Sequence, residues 1–91
     1  MPLLLRVFTH PACSNCGAVV RMMWEIYEER KQMFDFKTVK LENKEGLKEA
    51  HAEKIKTIPT VILSDNGKEV FRIVGTPKKQ HVLELKNYLN N

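Results

Sequence analysis

Ninety-one residues suffice for one domain with a modest core, not for two, so residues 1–91 are read as a single domain. A hydrophobic fraction of 43% is ordinary for a globular chain, and no apolar run has membrane-spanning length. The net charge of +4 is interleaved with glutamates, as in Glu42-Asn43-Lys44-Glu45 and Lys48-Glu49, and no nucleic-acid motif accompanies it; neither a nucleic-acid nor a membrane partner is expected.

Residues 3–9 read as a short apolar strand, broken by His10-Pro11-Ala12. A helical pattern spans residues 13–32, with Val19, Val20, Met22, Met23, Trp24, Ile26 and Tyr27 forming a wide stripe suited to packing on a sheet. Residues 34–41 are rich in β-formers, and a right-handed crossover would set them parallel to the first strand. A helix over 44–54 follows, then strands over 59–64 and 68–74 joined by Asp65-Asn66-Gly67, a hairpin turn signature. Thr76-Pro77 supplies an N-cap and a first-position proline for a helix over 77–89, whose Val82, Leu85 and Leu89 share a face beside Leu83. The expected fold is α/β, in the order β-α-β-α-β-β-α, with one central four-stranded mixed sheet and the first strand inside it.

The chain has two cysteines, both in Cys13-Ser14-Asn15-Cys16, so it is not a secreted disulfide scaffold. The opening Met1-Pro2-Leu3-Leu4-Leu5-Arg6 has no basic leader, and Arg6 interrupts its apolar run; a cytoplasmic location is expected. Residues three apart share a helix face, which lets the two sulfurs form and break a disulfide. Unsatisfied N–H groups and the helix dipole favour negative charge at a helix start, and the thiolate is the reactive form of cysteine. Cys13, nearer that start, is the candidate nucleophile and Cys16 the candidate resolving thiol. His10 is a candidate for tuning Cys13 by charge or hydrogen bond, against the plainer reading of a solvated loop histidine. His51 and His81 fall on helix faces expected to be exposed and receive no role, and Trp24 reads as a core or subunit-contact residue.

A C-x-x-C after a strand in a βαβ pattern, Ile58-Pro59-Thr60 before an apolar strand, and Asp65-Asn66-Gly67 followed by Val74-Gly75 occur here in one order and spacing. In these features the chain resembles the thioredoxin superfamily over nearly its whole length, and by its compactness the small thioredoxin-like or glutaredoxin-like proteins of prokaryotes. The resemblance implies a thiol–disulfide oxidoreductase that attacks disulfides through Cys13 and resolves the mixed disulfide through Cys16. It also implies a cis bond before Pro59 and a substrate rim of Ala12, Ser14, Ile58, Pro59 and Gly75. No cofactor is implied; the implied partners are disulfide-containing proteins and an electron donor, either a thioredoxin-reductase-like protein or a small thiol. The chain departs from the family in several places. Ala12 replaces the usual tryptophan, Ser14-Asn15 replaces Gly-Pro, and Val74-Gly75-Thr76-Pro77 lacks the paired aspartates of glutaredoxins. Val7 stands where thioredoxins usually carry a buried aspartate, while Lys40 matches that aspartate's lysine neighbour. His10, Cys13 and Cys16 offer three possible metal ligands, one short of a closed zinc site, so two alternatives remain for the same two thiols: a two-thiolate Cu(I)-type soft-metal carrier and a redox-responsive binding module.

Overall fold

The computed structural model describes residues 3–30 and 33–90. Seven elements follow one another: β1 Leu3–Thr9, α1 Cys16–Glu29, β2 Asp35–Lys40, α2 Lys44–Ala52, β3 Thr60–Asp65, β4 Lys68–Val74 and α3 Lys79–Leu89. The strands form one mixed sheet in the order β2-β1-β3-β4. β2 runs parallel to β1, β3 antiparallel to β1, and β4 antiparallel to β3. The α/β fold, the element order and the interior place of β1 are those expected from the sequence.

Strand alternation sends side chains to two faces. Leu5 and Val7 of β1 join Val61, Leu63, Ile73 and the apolar faces of α1 and α3 in the larger core. Phe8 faces the other way and packs with Val39, Ile62 and Ala50 of α2. Arg6 shares that second face, an unusual place for a charge in an interior strand. Its guanidinium reaches Glu49 at 2.9 Å and Glu53 at 2.6 Å on α2, and lies 5.4 Å from the Phe8 ring centre. Lys37 meets the other oxygen of Glu49 at 2.9 Å. Burial pushes the Glu49 carboxyl up, but the hydrogen bonds from Lys37 and Arg6 outweigh it and hold the group below its ordinary value. Burial likewise lowers the Arg6 pKa, and the two glutamates more than restore it.

Helix ends correct several expected boundaries. α1 starts at Cys16, not at residue 13, because the preceding residues close a turn: Cys13 N–H donates to the His10 carbonyl at 2.9 Å. Asn15 is the N-cap, and its carbonyl accepts from Val19 N–H. Residues 31 and 32 of the expected helix lie outside the described residues, as do Met1 and Pro2. α2 stops at Ala52, short of the expected 54, because Lys54 turns left-handed at φ +58°. Lys54 N–H then bonds the His51 carbonyl and Ile55 N–H the Ala50 carbonyl, a Schellman ending with lysine in the usual glycine place. The expected Thr76 cap and Pro77 start of α3 are also displaced. Lys78 is the N-cap, and its N–H donates to Nδ1 of His81, a capping role for a histidine expected to have none. The hairpin turn has Asn66 and Gly67 both at positive φ, as a type I′ turn requires.

Candidate active site

Cys13 and Cys16 are joined by a disulfide, with their Cα atoms 5.5 Å apart. The two are unequally exposed. Cys16, the first residue of α1, is only 4% exposed, whereas Cys13 in the preceding turn is half-buried. The β1–α1 connection thus presents one sulfur-bearing residue to solvent and holds the other against the core.

A depression of about 470 Å³ opens beside Cys13, walled on one side by Ala12, Ser14 and Asn15 and on the other by Ile58, Pro59, Gly75 and Thr76. All five residues expected at the rim line it. The Ile58–Pro59 peptide is cis. Gly75 N–H donates to the Pro59 carbonyl at 2.8 Å, which ties the loop before β3 to the end of β4. Gly75 holds φ +81°, a backbone conformation that a side chain would strain. Asn15 and Thr76 were not expected there. Asn15 Nδ2 donates to Thr76 Oγ1 at 3.4 Å, closing the rim between the α1 and α3 approaches. The position of Thr76 directly after Gly75 was the available signal. For Asn15 the sequence carries only the replacement of Gly-Pro by Ser14-Asn15, which does not point to the rim.

A second depression, of about 450 Å³, opens on the other side of the pair, between the cysteines and the end of β2. Thr9, His10 and Pro11 line it from the β1 side, Gly17 and Val20 from α1, and Thr38, Lys40 and Glu42 from β2 and beyond. His10 and Lys40 therefore lie near the disulfide, but on the side away from Pro59. His10 Nδ1 accepts the Ala12 N–H at 3.0 Å, which places the ring hydrogen of neutral His10 on Nε2. Val7 is fully buried between Thr38 and Val61 in the strand register and lines neither depression. Glu42 was missed, because nothing short of the β1–β2 register brings the segment after β2 beside the cysteines. Among the described residues no three of His, Cys, Asp or Glu gather closely enough to hold a metal ion.

The thioredoxin family model matches residues 2–89. The chain belongs to the thioredoxin family. Solved thioredoxins share its fold at low identity. Thioredoxin 1 of Thermosipho africanus superposes with a TM-score of 0.80 at 20% identity, over 96% of this chain and 94% of that one. Thioredoxin f2 of Chlamydomonas reinhardtii gives 0.77 at 23% identity, over 96% and 78%. Thioredoxin O2 of Arabidopsis thaliana in its oxidized state gives 0.79 at 17% identity, over 97% and 72%. No curated protein sequence matches the chain significantly. With its Cys13–Cys16 disulfide, this thioredoxin-family chain falls in a family of thiol–disulfide oxidoreductases.

Proposed function

We propose that the chain reduces or exchanges protein disulfides with Cys13 as nucleophile and Cys16 as resolving thiol. The supporting observation is their unequal exposure: Cys13 lines an open depression, and Cys16 is 4% exposed behind it. In the reduced protein the Cys13 thiolate attacks a substrate disulfide, forming a mixed disulfide and releasing one substrate thiolate. Cys16 then loses its proton and attacks Cys13, releasing the second thiolate and leaving the Cys13–Cys16 disulfide. Two electrons pass to the substrate, and an external thiol or a reductase protein returns them. The Cys13 thiolate is favoured by the start of α1, whose first turn holds no acidic residue. Gly75, Ile58 and Pro59 would border the substrate segment, with Ile58 offering main-chain docking.

The confinement of both cysteines to one motif supports a cytoplasmic setting. Among the described residues no helix is long and apolar enough to cross a membrane.

Mass spectrometry of adducts with a disulfide peptide tests the roles. Cys16→Ser should accumulate a mixed disulfide through Cys13, while Cys13→Ser should lose nearly all exchange. Equal trapping by the two variants would remove the assignment. Turnover assays fed in parallel by thioredoxin reductase and by glutathione with its reductase identify the electron donor, and absence of turnover with either would favour the binding-module alternative.

A further inference from the structure

The rim of the Cys13 depression does not end at Thr76. Its next residue, Pro77, opens an apolar groove of about 380 Å³ along the seam between α1 and α3, floored by Met22, Val82 and Leu83. Met22 and Val82 pack on the main core, but Leu83 stands 60% exposed. Lys78, Lys79 and Lys86 edge this groove.

These lysines differ from three partly buried or β-strand cations across the sheet, while Lys44 and Lys48 of α2 are likewise without an ion pair among the described residues. On the α2 side, Arg6, Lys37 and Arg72 are each paired with Glu49, Glu53 or Glu69. Among the described residues Lys78, Lys79 and Lys86 make no ion pair. Two of them lie at the start of α3, which has no acidic residue in its first turn, and the helix dipole disfavours cations there. Their placement is therefore not explained by helix stability.

We propose that this groove holds an acidic, apolar polypeptide segment flanking the substrate cystine, so that the lysines select substrates by charge. This rests on the exchange reaction proposed above and names the substrate class that it serves. Lys79 and Lys86 lie about 10 Å apart along the helix, a length spanned by roughly three extended residues. A segment leaving the Cys13 depression past Thr76 would set leucine-like side chains on Met22, Val82 and Leu83, with carboxylates at the lysine edge.

The test separates docking from chemistry by using a cysteine-free peptide. Two synthetic peptides carry serine in place of the cystine half and share a leucine-containing flank, one rich in glutamate and one in lysine. Backbone NMR titration of the intact protein with the acidic peptide should shift signals of Met22 and residues 77–86, and binding should weaken about tenfold between 20 and 200 mM salt. The basic peptide should leave these signals in place. Lys79→Glu with Lys86→Glu should weaken acidic-peptide binding about tenfold and confer binding of the basic peptide. Absence of shifts, or equal binding of the two peptides by the wild type, overturns the proposal. So do the same shifts on concentrating the protein alone, which would assign the groove to a second copy, or on adding phosphatidylglycerol vesicles with no response to peptide. Where the acidic peptide docks but its disulfide-containing counterpart is not reduced, the exchange reaction fails and the docking surface stands.

Discussion

Replacing Val7 with aspartate tests how this chain manages without the carboxylate that thioredoxins usually carry at this place. Val7 is fully buried in the main core, so the substitution removes about 1.5–3 kcal/mol of apolar burial. The new carboxylate would also lose its water, at a cost of several kcal/mol. Compensation comes mainly from Lys40. Thr38 pairs with Val7 and Lys40 with Thr9, so Lys40 sits one strand over and one pleat repeat along, about 8 Å between Cα atoms. At an effective dielectric of about 20, a unit charge pair at that range gains roughly 2 kcal/mol, and the exposure of Lys40 reduces it further. Loss exceeds gain by about 3–4 kcal/mol, which lowers Tm by roughly 15–25 °C in a domain of this size. A buried carboxyl has a raised folded-state pKa, so the variant's deficit is smallest in acid and grows as pH rises through that value. Below the melting range, the carboxyl introduced at position 7, where thioredoxins usually carry one, should speed decay of the mixed disulfide near neutral pH. Stopped-flow decay across pH, beside denaturant unfolding at the same pH values, reads both effects. Unchanged decay in a folded variant would show that another group already takes the Cys16 proton, and unchanged stability would refute the burial argument.

Glu49→Gln should cost about 1–2 kcal/mol by denaturant melting, because Arg6 and Lys37 both lose a charged acceptor. Burial raises the Glu49 carboxyl while Lys37 and Arg6 lower it further, and Arg72 lowers Glu69; both folded-state values end below the unfolded ones. Their stabilisation is therefore present above the unfolded carboxylate range and lost as pH falls through the folded values, and Glu49→Gln should flatten that acid limb. Lys54→Gly should stabilise by about 1 kcal/mol, seen as a Tm rise of roughly 4–8 °C, since it relieves a left-handed residue in an intact Schellman ending. Gly46→Ala should destabilise by about 1–3 kcal/mol despite alanine's better helix propensity, because the added Cβ would lie 2.7 Å from the Lys40 carbonyl carbon. Gly17→Ala, with nothing within 4 Å of the added carbon, serves as the control and should stay within about 0.5 kcal/mol.

Much of the architecture was legible because its signals are local. The apolar runs of β1 and β3, the Asp65-Asn66-Gly67 hairpin and the stripe of α1 each state their own conformation. Helix ends were less legible because competing caps are close in energy. Ser14 and Asn15 fit a helix interior or a turn, and the Cys13–His10 backbone bond settles them as a turn. Thr76 looks like an N-cap, yet its hydroxyl faces Asn15 while His81 caps α3. Lys54 carries no glycine to announce the end of α2.

By itself the chain determined its elements and its Cys13–Cys16 spacing, each readable within a few positions, whereas Ile58, Pro59 and Gly75 joined the Cys13 rim only through the family resemblance. Only the tertiary structure decided which groups meet across the sheet. Burying β1 on both faces sets its register against β2 and β3, since a slip of one residue would turn every side chain to the wrong face. That register, with Gly75 bonded to Pro59, brings the loop before β3 against a cysteine 46 positions earlier, and sets Arg6 opposite glutamates 43 and 47 residues away. It also places Lys40 and Glu42 on the far side of the disulfide. Charges so distant in sequence leave no periodic trace, because their pairing is fixed by the apolar residues around them.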